Sequence, residues 1–261
     1  MNCEELVDLL SSGAPLTPEA QAHIASCAGC SAMLQQLQQQ PAAISPACVA
    51  AIEQRVLSAL APVRPLPSNR RLAAVALGIA GVVAVVCAFP FGYFALKSLS
   101  AAQMAAYYSL IAAVGVFLAM AIGQDMIPGA KRTISRPMLV AGAFVSLAAA
   151  VIFLFPAFTA PRFVPRGIPC LRLGAVSAAI AGIPIWLLLR RGFLTTPVET
   201  GCLAGTFAGL AGFAVLALHC PIQEAPHILT WHVGAMAIAG CAGALLGAAF
   251  ERLAGIRGRS A

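Results

Sequence analysis

Charge is what this sequence has least of. Only a tenth of the 261 residues are charged, whereas 60 % are apolar. Between Arg71 and Glu251 lie long uncharged runs, many of them long enough to cross a bilayer, which takes roughly 20 apolar residues. No Asp, Glu, Lys or Arg falls deep inside these runs, so the sequence shows no proton relay or ion path, and this counts against a pump or transporter. A phosphate-binding loop and an outward Cys-x-x-Cys pair are missing too. Those gaps weaken the main alternative, an integral membrane redox enzyme or metal transporter with a regulatory zinc domain, and no enzymatic activity is expected. The N-terminus is acidic, through Glu4, Glu5 and Asp8, and no apolar run precedes residue 72, so no secretory signal is expected and the N-terminal segment should stay in the cytoplasm. The net charge is +7, yet the basic residues flank apolar runs instead of clustering on one helix or interleaving with aromatics. Direct nucleic-acid binding is therefore not expected.

What remains divides in two. About 70 N-terminal residues have an ordinary soluble composition, and the rest reads as a polytopic membrane domain. The expected fold is all-α: a small zinc-binding helical domain over 1–60, a Pro-rich linker over 61–71 with Pro62, Pro65 and Pro67, a six-span bundle over 72–250 and a tail over 251–261. The spans are placed at 72–96, 104–124, 138–159, 172–189, 201–219 and 232–250. With the N-terminus inside, Arg64, Arg70, Arg71, Lys131, Arg132, Arg136, Arg190, Arg191, Arg252, Arg257 and Arg259 fall on the cytoplasmic side, against Lys97, Arg162, Arg166 and Arg172 outside. Eleven against four predicts an inner-membrane protein with both termini in the cytoplasm. Gly201, Gly205 and Gly209, with Gly243 and Gly247, predict that the fifth and sixth spans pack closely.

In the N-terminal domain the chemistry gathers at His23-x3-Cys27-x2-Cys30. On a helix these three share one stripe and can converge on an ion, with Cys3 as the natural fourth ligand. Four protein ligands leave no place for catalytic water, so the expected cofactor is one structural Zn(2+). Thr17-Pro18-Glu19 is a strong helix start, with Thr17 as cap and Pro18 in the first turn. Ser45-Pro46 opens another helix, on which Val49, Ile52, Val56, Leu57 and Leu60 form one apolar stripe. So small a domain cannot cover that stripe from its own core, which leaves it for a partner; packing back on the domain or lying on membrane lipid are the alternatives.

Two outward loops carry the remaining candidates. Pro165 to Cys170 follows the third span, and His219-Cys220-Pro221 leads to His227, Trp231 and His232 after the fifth. In an oxidising compartment Cys170 and Cys220 can pair, and with His219, His227 and His232 nearby the set could bind a metal or change redox state. A purely structural disulfide with interfacial histidines and Trp231 as a membrane anchor is the other reading. Cys87, Cys202 and Cys241 lie in apolar spans and are expected to act as small packing residues, as is Cys48 in its own helix.

The N-terminal residues, namely Cys3, Leu16 to Glu19, His23-x3-Cys27-x2-Cys30 and the Ser45 to Leu60 helix, resemble the zinc-binding anti-sigma domain. That resemblance implies a domain that grips an extracytoplasmic-function (ECF) sigma factor through its last helix. The membrane part, through Cys170-Leu171, Arg190-Arg191-Gly192, His219-Cys220-Pro221, Trp231 and Gly243-x3-Gly247, resembles the six-span NrsF-type anti-sigma factors. This second resemblance implies an inner-membrane sensor whose outward cysteines answer metal or oxidative stress and loosen the grip on the sigma factor inside. A further possibility places redox sensing at the zinc thiolates of Cys3, Cys27 and Cys30 themselves.

Overall fold

The structure is a computed structural model that describes residues 1–11, 15–38, 45–59, 67–127, 134–159, 162–190, 192 and 196–259, without the side chains of 59 and 254–259. Every regular element among the described residues is helical. The chain forms two compact units, Met1–Arg64 and Pro65–Ala261.

The first unit holds α1 (Cys3–Ser11), α2 (Pro18–Ser26), α3 (Ala28–Gln38) and α4 (Pro46–Ala59). Thr17 caps α2 as its sequence requires: its hydroxyl accepts from the Ala20 amide at 3.2 Å, and Pro18 occupies the first turn, where no amide donor is needed. Leu6, Ala20 and Cys30 are buried, with Leu9, Leu10, Leu16, Ile24 and Cys27 packed around them. Three buried side chains make a core too small to hold a fold of this size by apolar burial alone. α4 adds none to it; all of its described side chains are exposed.

One detail departs from the sequence reading. The His23 to Cys30 segment is not one helix: α2 stops at Ser26, Cys27 adopts an extended conformation (φ −113°, ψ 109°), and α3 starts at Ala28. The amide of Cys27 still bonds the His23 carbonyl at 2.9 Å, and its own carbonyl accepts from Ser31 at 3.0 Å, so the break leaves neither group unpaired.

In the second unit six helices are long and apolar enough to cross a membrane: Asn69–Phe91, Ala101–Asp125, Arg136–Leu154, Phe163–Leu189, Pro197–His219 and Ala225–Leu253. They comprise α5 (Asn69–Ala88) with a short 3-10 turn, α7 (Ala101–Asp125), α8 (Arg136–Leu154), α9 (Phe163–Leu189), α10 (Pro197–His219), and α11 (Ala225–His227) running through a π-helical turn, Ile228–Val233, into α12 (Gly234–Arg259). The four-residue α6 (Ala95–Ser98) links the first two spans. Helices suit a bilayer because each satisfies its own backbone where no water can. These spans support a multi-pass membrane protein.

The fourth and sixth spans, expected to be short, are the longest of the six. Pro165 to Cys170 is the start of α9, and Ala225 to His232 is the start of the sixth span, where loops were expected. Pro165 lies in the first turn, which tolerates a missing donor, and the internal Pro169 and Pro184 each remove only one bond from a 27-residue helix. Proline punctuation in the sequence overstated the breaks.

α10 is the centre of the bundle, with 78 % of its most apolar window buried against 17–44 % in the other spans. Glycines bring it onto its neighbours. A Cβ added at Gly201 or Gly205 would collide with the carbonyl of Gly243 or Ala239 on α12, and one at Gly212 with the carbonyl of Gly174 on α9. Tyr107 packs edge-on against Phe155 and Phe213, and the Tyr108 hydroxyl donates to the Ala217 carbonyl at 2.8 Å.

Candidate functional site

Two groups of Cys and His side chains each bring four ligand atoms within 4.8 Å of one another: Cys3, His23, Cys27 and Cys30 in the first unit, and Cys170, Cys220, His227 and His232 in the second.

In the first group α1 supplies Cys3, α2 supplies His23, the break supplies Cys27, and α3 supplies Cys30. The Nε2 of His23 stands 3.5 Å from the sulfurs of both Cys3 and Cys30, and Cys3 and Cys27 are 4.0 Å apart. A tetrahedral zinc with ordinary bond lengths spaces its ligands at about 3.8 Å for sulfur pairs and about 3.5 Å for sulfur and nitrogen. These three separations match those of a tetrahedral ion's ligands. The thiols are unequal. Backbone hydrogen bonding from Cys30, then contacts with the Cys30 and Cys3 side chains, lower the Cys27 pKa, whereas burial and the neighbouring thiols push Cys30 up to about 11. A shared cation would favour the thiolate form of these crowded sulfurs.

The second group is fully buried. Cys170 comes from α9, Cys220 ends α10, His227 ends α11, and His232 lies in the π turn. The two sulfurs are 3.7 Å apart, both as free thiols, and the Cys220 sulfur is 3.5 Å from Nε2 of His227. Neither ring nitrogen of His232 has a hydrogen-bond partner, although the residue is only 2 % exposed. A buried imidazole whose two nitrogens find no partner, beside two thiols, is a donor set suited to a metal ion. The sulfur pair at 3.7 Å and the sulfur–nitrogen pair at 3.5 Å match the ligand spacings of a tetrahedral ion.

His219, grouped with these residues in the sequence, points elsewhere. Its Nδ1 lies 3.1 Å from the Gly92 carbonyl, and its ring meets Phe91 and Phe94 at 5.5 and 5.9 Å. It ties the loop after the first span to the end of α10. Trp231 packs on Phe163 and closes over Gly167, where any Cβ would strike its ring.

On α4, Val49, Ile52, Val56 and Leu57 are 50–59 % exposed, so the predicted stripe is intact and unpartnered among the described residues; Leu60 lies outside them. A further polar cluster went unread in the sequence. Arg136, at the start of α8, donates through Nε to Asp125 at the end of α7 (2.6 Å) and through Nη1 to Glu199 in the first turn of α10 (2.5 Å). Thr200 donates to the same Asp125 oxygen at 2.9 Å. Each residue sits at a span end, where charges usually face the headgroups, and Arg136 precedes a proline as a routine flank would; nothing local announces that it is buried.

With this geometry in place, comparison with known families decides the affiliation. A family model described as "NrsF: Negative regulator of sigma F" matches residues 56–252, about three quarters of the chain. The chain belongs to the NrsF family. Membership covers the six spans, the buried Cys and His set, and the C-terminal end of α4, and it implies a negative regulator of a sigma factor. The NrsF match begins at Val56, so the likeness of residues 1–60 to the zinc-binding anti-sigma domain rests on residue pattern and on the four converging ligands. No curated protein and no solved structure matches the chain.

Proposed function

We propose that this NrsF protein is an inner-membrane anti-sigma factor with both termini in the cytoplasm, which sequesters an ECF sigma factor and releases it when an envelope metal or redox signal reaches Cys170, Cys220, His227 and His232. Family membership is the observation that carries the reading. The domain order follows: residues 1–60 bind the sigma factor, 61–71 link, 72–250 receive the signal, and 251–261 form the tail.

Cys3, His23, Cys27 and Cys30 hold one structural zinc. Bound there, zinc supplies the cross-link between α1, α2 and α3 that the three-residue core lacks. The partner surface is α4, whose Val49, Ile52, Val56 and Leu57 face, continued to Leu60, matches helix-in-groove recognition by anchors at three- and four-residue spacing.

Moving sigma occupancy from 99 to 1 per cent requires about 5.5 kcal/mol of differential affinity between the two states. Metal binding to a buried thiolate and imidazole set, or oxidation of two thiols 3.7 Å apart, supplies energy of that order. His219 then belongs to the transmission: it stands next to Cys220 in the chain and holds the loop after the first span.

Co-purification from membranes of the full chain with an ECF sigma factor of the same cell tests the reading. A stable complex that dissociates on adding copper chloride or diamide is the expected result. Absence of any complex ends the anti-sigma proposal, and a complex indifferent to both reagents ends the sensor part.

A further inference from the structure

Arg136 is 6 % exposed, and its two carboxylate partners come from two other spans. Removing a guanidinium from water is unfavourable unless its donors are matched, so such a cluster is stable when assembled and unstable when half assembled. Here the match is incomplete, because Nη2 of Arg136 is buried without a hydrogen-bond partner. Glu199, by contrast, is half exposed and only one turn into α10. The arrangement is one that a small displacement of α10 would open.

α10 is also the element that reaches the buried Cys and His set. It runs unbroken and without internal proline from Pro197 to His219, about 35 Å at 1.5 Å per residue, and Cys220 caps it. Along its length the contacts with α12 and α9 are backbone against backbone at Gly201, Gly205 and Gly212. Such faces present few side-chain knobs to fix an axial register. Polar contacts at the two ends do that: Thr200 and Glu199 at one, His219 and Cys220 at the other.

We infer that Asp125, Arg136, Glu199 and Thr200 form a latch that holds the resting packing of the bundle, and that α10 carries a change at Cys220 to it as a rigid rod. The inference rests on the sensor reading given above. Oxidation of Cys170 and Cys220 to a disulfide by a thiol oxidant, which takes up the two electrons and two protons, draws their sulfurs together from 3.7 Å; this moves α10, separates Glu199 and Thr200 from the Arg136–Asp125 pair, and frees the starts of α8 and α10 to repack.

The test uses the full chain in cells with its sigma factor and a reporter for that factor. Thr200→Val and Glu199→Gln alter one latch contact each at nearly constant volume. At wild-type membrane abundance, each is expected to lower signal-free retention of the sigma factor at least threefold and to raise the reporter. Copper chloride or diamide then adds less than twofold, and the raised level persists when Cys170→Ser is added. Wild-type retention and induction in both variants overturn the latch. If either reaches the membrane poorly, Arg136→Lys, which keeps the charge and loses the fork, takes its place under the same threefold criterion. Cys170→Ser alone separates the two ideas: a single variant that still answers both reagents removes the sensor reading, whatever the latch variants show.

Discussion

His227 and His232, five residues apart, meet edge to face with ring centroids 5.3 Å apart. In an α-helix five residues turn about 140° beyond a full revolution and would aim the two rings at different faces. The π turn at Ile228–Val233 widens that revolution, so the fifth residue returns above the first. An irregular turn thereby builds half of a four-ligand set. In the full chain carrying Cys27→Ala, to silence the N-terminal set, His232→Phe should weaken binding of a soft ion such as Cu(I) by about tenfold or more. His219→Phe should change it less than twofold, because His219 bonds Gly92 instead. Competition titration of protein in nanodiscs measures both, and equal effects would mean that the ion lies elsewhere.

The N-terminal set predicts one zinc per chain in Cys170→Ser/Cys220→Ser protein, and its loss on Cys27→Ala. Binding should also depend on pH with a definite sign. Cys30, whose pKa is pushed up to about 11, is protonated throughout the neutral range and must release its proton to bind. Affinity should therefore fall as pH falls, by at least about tenfold per unit from pH 8 to 6, which is one proton per ion. A chelator competition series that is flat in pH would exclude thiolate ligation by Cys30.

On α4, Ile52→Asp and Val56→Asp replace side chains that are each 55 % exposed. Exposed substitutions of this kind change stability by only about 0.5 kcal/mol, whereas a buried interface anchor is worth about 2 kcal/mol or more. Sigma binding should drop at least about 30-fold while zinc content and helicity stay as in the parent. A loss of zinc along with sigma binding would show that the stripe serves the fold of the domain itself.

The six spans, the all-helical class and the gathering of Cys and His residues in each unit, His219 apart, were legible in the sequence because apolar run length and Cys/His spacing are local signals. Thr17 and Pro18 announced a helix start and made one. Information failed where a tertiary partner decided the outcome. Cys27 broke a helix that its neighbours favour, in a place where the thiols converge. His219 is adjacent to Cys220 in the chain, yet its ring turned to Gly92 because two phenylalanines and a free carbonyl were waiting there. Arg136 read as a flank, and only the meeting of three span ends shows what surrounds it.

Close packing of α10 on α12 makes the last prediction. At Gly205 an added Cβ would strike the Ala239 carbonyl and come within 3.1 Å of the Gly243 Cα, backbone that no rotamer change can move aside. Gly78 and Gly142 have nothing within 4 Å of the same position. Gly205→Val should therefore lower the thermal midpoint of the detergent-solubilised protein by several degrees or prevent its accumulation, through 1–3 kcal/mol or more of overpacking, a range of about that size being usual in dense cores. Gly78→Ala and Gly142→Ala, which add one methyl facing open space, should match the parent or exceed it slightly, since alanine suits a helix better than glycine by about 1 kcal/mol. Fluorescence-detected size exclusion across a temperature series reads all three variants. Equal midpoints for Gly205→Val and Gly78→Ala would mean that α10 and α12 do not approach backbone to backbone.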